Sequence, residues 1–410
     1  MSRSHCLLAL DLGTTTLAGR VLDADGRVLA QERLLNPQVA LGGDIMRRME
    51  AALAGEDTHL QALLCDGLRE IIDALLRQAG LRCADIGAAG AAGNPGMVYL
   101  LRRLPVRSIL FPPHRPSRRE AVYLSSEEVD LGLPVPLYLF PLVSGYVGGD
   151  LVAFLFAQHE VTENSFFLDA GTNGEMALYA GGQWRVTSVA AGPAFEGGDI
   201  SCGMVAKAGA ISDVRIVDDT LHLIVIGGGT PQGLCGSGLA AVLAAALDGG
   251  LVDRHGTIVD PLEVPTNLSR YIVQTPQGRA LRLYRDAAAD LLLTQQDVRH
   301  FQLAKAAVLA GIECLLQRAG LDAASVGPVT LTGAFGFSLS RQVLKRVALL
   351  PENMVDKVRF AEAGVLAGVG RLLCEAEGPA RVDRLAARLH ALPLSGTPAF
   401  EKAFIKAMDF

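Results

Sequence analysis

The sequence is poor in the residues that mark several common protein classes. Its 410 residues include seven cysteines, at positions 6, 65, 83, 202, 235, 314 and 374, and no Cys-x-x-Cys pair. An odd, scattered set of this kind encodes neither a disulfide framework, a zinc site nor a self-contained iron–sulfur domain. The eight histidines are equally dispersed, and none is assigned to a metal. Basic residues are in deficit: 37 Lys and Arg stand against 43 Asp and Glu, for a net charge of −6. That balance argues against a nucleic-acid surface, and the local cluster Arg115, Arg118 and Arg119 reads as a solvated loop. No apolar run approaches the roughly 20 residues of a membrane span. The run at residues 6–10 is cut off by Asp11, too soon for a signal peptide. The expectation is a cytoplasmic protein that binds neither nucleic acid nor membrane.

What the chain does have is glycine, apolar residues and an internal repeat. Half of its residues are apolar and 45 are glycine without a collagen period, as suits a turn-rich α/β protein with substantial cores. The stretch Asp11-Leu12-Gly13-Thr14-Thr15-Thr16 returns as Asp169-Ala170-Gly171-Thr172-Asn173-Gly174, each copy following an apolar run of strand type. Glycine allows a tight turn, and threonine hydroxyls with successive backbone N–H groups form an anion-holding nest. An aspartate at each strand end can reach Mg²⁺ or its waters. A duplicated strand–Asp-x-Gly-Thr–turn is therefore what a clamp on a Mg-nucleotide phosphate chain requires.

The halves agree elsewhere. Residues 60–80 and 303–320 each carry apolar residues at helical spacing and stop at a glycine, Gly80 and Gly320. Each then leads through a short apolar stretch to a glycine-rich turn, at residues 88–93 and 331–336. Two related α/β lobes with ligand in the cleft between them are the economical explanation. Residues 1–165 and 166–380 would be the lobes, with an elaborated sub-lobe at about 200–290 and a tail at 381–410. Asp23-Ala24-Asp25-Gly26 reads as a hairpin turn. The proline-bearing stretch 104–141 reads as irregular connection, and the stretch 143–156 reads as helical after its glycines.

Three further constellations carry candidate chemistry. The run from Gly227 to Gly238, ending Cys235-Gly236-Ser237-Gly238, opens an apolar helix and suits either an anion or ribose site or a close packing turn. It has neither the Lys-Ser/Thr ending of a P-loop nor a G-x-G-x-x-G. Gly148-Gly149-Asp150 stands at a helix start, where Asp150 could orient an attacking water or cap the helix. Gly333-Ala334-Phe335-Gly336 follows a strand and could let adenine and ribose lie against the backbone.

Together these motifs resemble the acetate and sugar kinase, heat-shock chaperone and actin superfamily (ASKHA), a duplicated actin-like α/β fold. Within it the chain closely resembles the ATPase module of the reductive activators of corrinoid proteins. The similar text includes Asp11 to Thr16, Leu35-Asn36-Pro37-Gln38 with Gly43-Asp44, Gly93-Asn94, residues 145–150, Asp169 to Glu175, residues 191–197, residues 235–238, residues 303–306 and residues 333–336. The resemblance implies a cytoplasmic ATPase, often a homodimer, that couples ATP to the uphill reduction of a Co(II) corrinoid protein to methyl-accepting Co(I). By position it implies that Asp11 and Asp169 hold Mg²⁺ through water. Gly13, Thr14, Thr15 and Thr16, with Gly171, Thr172, Asn173 and Gly174, would hold phosphates. Gly236, Ser237 and Gly238, with Gly333, Ala334 and Gly336, would flank the nucleoside. Asp150 or Glu175 would align the attacking water.

One departure stands out. Such activators usually start with a plant-type [2Fe–2S] domain, which this sequence does not encode, and its cysteines do not replace that cluster. Electrons are then expected from a separate ferredoxin-like partner. Cys235 stands at a glycine-rich helix start like that of the cluster-sharing activators of hydroxyacyl-CoA dehydratases, but it has no second ligand in the sequence and reads as a small buried residue. Two other classes remain open: a nucleotide-gated module that remodels a partner, and a small-molecule kinase, since one fold serves many functions.

Overall fold

The apolar residues ahead of Asp11 form the strand Cys6–Leu12, in which Leu8, Leu10 and Leu12 have no exposure. The computed structural model describes residues 6–333, 339–362 and 364–410. The chain divides into two compact units. One comprises Met1–Val161, Gly182–Val186 and Ala363–Leu392; the other comprises Thr162–Gly181, Thr187–Glu362 and Pro393–Phe410.

In the first unit, strand Cys6–Leu12 pairs antiparallel with Thr16–Leu22, which pairs antiparallel with Val28–Leu35. On its other side it runs parallel to Ile86–Gly93, followed by Leu137–Leu139 and the edge strand Val122–Leu124. The expected hairpin turn forms because Asp23 Oδ1 accepts from the N–H groups of Asp25 and Arg27, each at 2.9 Å, and Gly26 adopts φ 82°. Helix Asp57–Ala79 buries Leu60, Leu64, Leu68, Ile71 and Leu75 on one face and ends at Gly80 in the left-handed conformation. Gly19 lets that face approach the sheet, for a Cβ there would lie 2.7 Å from Ile71 Cγ2.

One expectation shifts here. Residues 104–141 are not wholly irregular: they supply helix Arg107–Leu110 and the strands Val122–Leu124 and Leu137–Leu139. Three-residue strands are too short to show a period of two, and Leu137–Leu139 forms because its backbone pairs with Ala89, Gly90 and Ala91. Helix Gly149–Phe156 starts after the glycines, as expected, and ahead of it Val143 and Ser144 both donate to the Val147 carbonyl in a turn.

The second unit repeats the arrangement. Strand Ser165–Ala170 pairs antiparallel with Asn173–Ala180 and parallel with Val329–Gly333, which in turn runs parallel to Val358–Phe360. Helix Gln295–Ala319 opens with a reciprocal Thr294–Asp297 capping box and ends at Gly320, φ 69°. Residues 200–294 add two three-stranded sheets, Ala210–Val217 with Thr220–Val225 and Gly233–Leu234, and Gly278–Arg285 with Ile272–Thr275 and Asp290–Thr294. Helix Gly236–Asp248 packs on the former. Helix Pro398–Lys406 packs against Gln295–Ala319. The fully buried Lys305 of that long helix donates to the Asp409 carbonyl and lies 5.0 Å from the centre of the Phe410 ring. Burial pushes its ammonium down to about 8.

Within the first unit, helices Gly149–Phe156 and Gly364–Cys374 meet backbone to backbone: a Cβ at Gly368 would run into the Ala153 carbonyl. Gly368→Ala is expected to destabilise the protein by about 1–3 kcal/mol through overpacking. Gly43→Ala, where a Cβ meets nothing within 4 Å, should stay within about 0.5 kcal/mol of wild type. Denaturant unfolding of both variants checks the pair.

Candidate phosphate loops

Each Asp-x-Gly-Thr motif falls at the C-terminal end of a strand that is parallel to one neighbour and antiparallel to the other. In the first unit, Asp11 pairs with Ala18 on the hairpin side and with Ala92 on the parallel side. Gly13 is required by crowding, since a Cβ there would collide with the Thr16 carbonyl. Asn36 Nδ2 donates to the Gly13 carbonyl at 3.0 Å, and its own N–H donates to the Thr15 carbonyl at 2.9 Å. Asn94 caps helix Pro95–Leu101 by accepting from Met97 N–H, and its Nδ2 donates to Thr14 Oγ1 at 2.8 Å. Thr14 is buried. The first loop is thus held by two neutral amides.

Asp150 belongs to the same unit. The N-cap of its helix is Gly148, so Asp150 does not occupy the capping position; it sits in the first turn, where Oδ1 accepts from Leu151 N–H at 2.8 Å. A Cβ on Gly148 would lie 2.5 Å from the Gly93 carbonyl and 2.7 Å from Asp150 Oδ1. The missing side chain therefore lets Asp150 lie beside the Gly93-Asn94 turn that braces Thr14. Burial pushes the Asp150 carboxyl up to about 6.

Behind the first loop is a cation absent from the sequence-based candidates. Arg48 has no exposure; Nε donates to the Gly42 carbonyl at 2.8 Å and Nη1 to Gln38 Oε1 at 3.2 Å. Asn36 Nδ2 approaches the same Gln38 oxygen at 3.4 Å. Arg48 Nη2 has no partner among the described residues, and burial lowers the guanidinium to about 10.

In the second unit, Asp169 pairs with Glu175 across the hairpin and with Thr332 on the parallel side. Glu175 is buried and accepts from Ser188 Oγ at 3.1 Å. The loop turns with Gly171 N–H donating to the Asn173 carbonyl at 3.1 Å. Thr172 N–H and Thr172 Oγ1 both donate to Glu196 Oε1, each at 2.8 Å, while the Thr172 carbonyl accepts from Gly192 N–H at 2.9 Å. A Cβ on Gly174 would lie 3.1 Å from Val189 Cγ2 and 3.2 Å from Val308 Cγ2, closer than ordinary contact. Gly333 takes φ 101°, and a Cβ on it would lie 2.5 Å from Asp169 Oδ1. Ala334 and Gly336 lie outside the described residues.

Gly236, Ser237 and Gly238 have a packing role. A Cβ on Gly236 would strike the Phe195 carbonyl and one on Gly238 the Ile211 carbonyl, while Ser237 Oγ donates to the Ser212 carbonyl at 3.0 Å. The glycines at 227–229 form a separate turn with positive φ, divided from the helix by strand Gly233–Leu234. Cys235 is buried, its thiol 3.2 Å from the Ile211 carbonyl and 3.3 Å from Ser237 Oγ.

Among the described residues, no three His, Cys, Asp or Glu side chains are grouped to hold a metal. Magnesium does not need such a group, because it is commonly held by one or two carboxylates together with substrate phosphates. Asp11 and Asp169, oxygen donors at strand ends next to the loops, fit that mode. Of the residues absent from the sequence-based site, Asn36, Asn94 and Glu196 all lie in stretches that carry the family resemblance. The available signal was a polar residue flanked by glycine or proline inside otherwise apolar text.

Comparisons with known proteins give the chain's family. The C-terminal domain of RACo, the ASKHA domain, matches residues 163–410, and the RACo middle region matches residues 6–160. The corrinoid activation enzyme RamQ of Eubacterium limosum is 31% identical over 379 residues, covering 89% of this chain and 63% of RamQ. The [Co(II) methylated amine-specific corrinoid protein] reductase of Methanosarcina barkeri is 23% identical over 398 residues, covering 87% of this chain and 68% of its own. A solved reductive activator for corrinoid, iron–sulfur protein superimposes over 100% of this chain and 67% of its own with TM-score 0.93 at 29% identity. The chain therefore spans 63–68% of the length of these relatives. It has the expected duplicated α/β ASKHA fold and belongs to the RACo family, with that family's middle region and C-terminal ASKHA domain.

Proposed function

We propose that the chain binds Mg²⁺-ATP through its two Asp-x-Gly-Thr loops, hydrolyses it, and uses it to support reduction of a corrinoid protein from Co(II) to Co(I). The observation that carries this reading is the pair of equivalently placed loops in a chain of the RACo family. Asp11 and Asp169 hold Mg²⁺ through its waters, and the ion neutralises phosphate charge when bound. Gly13 to Thr16 and Gly171 to Gly174 offer N–H and hydroxyl donors to phosphate oxygens. Gly333, Ala334 and Gly336 are the residues that the family resemblance assigns to the nucleoside. Gly236, Ser237 and Gly238 flank the nucleoside as well, and Gly236 also backs the turn that ends at Glu196 through the Phe195 carbonyl. The electron comes from a separate ferredoxin-like donor, and a homodimer is the working assembly.

Asp150 is the residue that aligns the attacking water, with Glu175 second. A carboxyl near pKa 6 is mostly ionised at neutral pH and accepts a hydrogen bond from water. Protonation as pH falls through about 6 removes that acceptor. Hydrolysis should therefore be flat above it and decline roughly tenfold per pH unit below it. Asp150→Asn is expected to lower hydrolysis by about a hundredfold or more while nucleotide still binds. Steady-state rates from pH 5 to 8 with calorimetric binding check both statements, and an unchanged profile in the variant would remove Asp150 from the site.

The broader test is hydrolysis by the purified chain with and without a Co(II) corrinoid protein. Stimulation is expected, and it should vanish in Asp11→Asn and Asp169→Asn. ATP bound without turnover, with the corrinoid protein present, would instead favour a module that remodels its partner.

A further inference from the structure

Glu196 occupies the donors that a phosphate would use. Its Oε1 takes both the N–H and the hydroxyl of Thr172 at 2.8 Å, and a Cβ on Gly171 would meet the same oxygen at 3.2 Å. No basic side chain among the described residues pairs with this carboxylate. Its negative charge is met by two donors of the loop.

The carboxylate is also held firmly. It ends the short turn Pro193–Glu196, which is flanked by Gly192 and Gly197, both at φ 79°. On one side Gly192 N–H is tied to the Thr172 carbonyl. On the other, a Cβ on Gly197 would sit 2.7 Å from the Met204 carbonyl. The adjacent Phe195 has no exposure and meets Phe301 edge-on at 5.6 Å. A loose surface glutamate could swing away from an incoming anion at little cost. This one is fixed to Thr172 by its own backbone.

We infer that Glu196 is a specificity-determining residue that makes the second loop select magnesium-bearing nucleotide over bare polyphosphate. The inference rests on the nucleotide-binding reading of that loop. A phosphate oxygen arriving at Thr172 without a counter-ion meets a carboxylate, and like charges a few ångströms apart disfavour each other strongly in a partly buried site. A divalent cation carried by the nucleotide turns that repulsion into attraction. The first loop has no such carboxylate on its threonine: there the Thr14 hydroxyl accepts from the Asn94 amide and the Gly13 carbonyl from the Asn36 amide.

The test is the magnesium dependence of binding, measured by calorimetric titration of the full chain with ADP, first with excess Mg²⁺ and then with chelator. In wild type, removing Mg²⁺ should weaken ADP binding markedly. In Glu196→Gln, whose amide oxygen still accepts from Thr172, the ratio of the two dissociation constants should fall about tenfold, mainly because metal-free ADP binds better. Glu196→Ala should move the ratio in the same direction, and matching thermal midpoints would show that the variants are folded. An unchanged ratio in Glu196→Gln overturns the inference, as does weaker binding under both conditions with the ratio kept, which would make Glu196 a brace. If wild type binds no ADP under either condition, the nucleotide reading of the loop fails first and the selection falls with it.

Discussion

In each unit one buried strand has an antiparallel neighbour on one side and a parallel neighbour on the other, and the candidate chemistry depends on that pairing. The antiparallel side requires a tight turn directly after the strand. The parallel side brings a second strand end to the same edge. For Cys6–Leu12 these are the Gly13–Thr15 turn and the Gly93-Asn94 step; for Ser165–Ala170 they are the Gly171–Thr172 turn and Gly333. Backbone donors, a carboxylate and a glycine that lets two strand ends approach closely thus converge without any long-range accident of sequence. Ligand sites at the carboxyl ends of parallel strands follow the same logic in other open α/β sheets.

This part of the fold was legible in the sequence because its signals are local. The Asp-x-Gly-Thr repeats, the apolar helix faces and the stops at Gly80 and Gly320 each fit within a short window, and the strands and helices form where those windows are. The misread segments have non-local causes. Leu137–Leu139 is a strand because Ala89 to Ala91 offers it a ladder, and no period is visible in three residues. Asp150 could have been a cap or a site carboxylate, and only the backbone at Gly148 decides that it is not the cap. Glu196 lies 24 residues beyond the threonine it holds, and Arg48 acts through Gln38 and Gly42. Single-sequence reading has no access to such pairs.

The duplicated loops are not electrostatic copies. Neutral amides from Asn36 and Asn94 support the first, with the buried Arg48 guanidinium joined to Asn36 through Gln38. A carboxylate supports the second. The same backbone turn is therefore set in surroundings of different charge, and the two would respond differently to one anion. A buried guanidinium with an unpaired nitrogen is costly to keep. Its bonds to Gly42 and Gln38 tie it to the residues that brace the first loop, and under the phosphate-binding reading proposed above its charge would favour an anion there.

The crossing at Gly368 bears on how such a chain can change over time. Most helix contacts are made by side chains, so each substitution alters their shape and the partner must adjust. Where a glycine rests on the Ala153 carbonyl, the touching surfaces are peptide groups, which every residue type shares. One position is tightly restricted and those around it are released. Contacts of this kind, repeated at Gly236 against Phe195 and at Gly238 against Ile211, let an architecture outlast its text. The 0.93 superposition at 29% identity is what such a fold would be expected to leave behind.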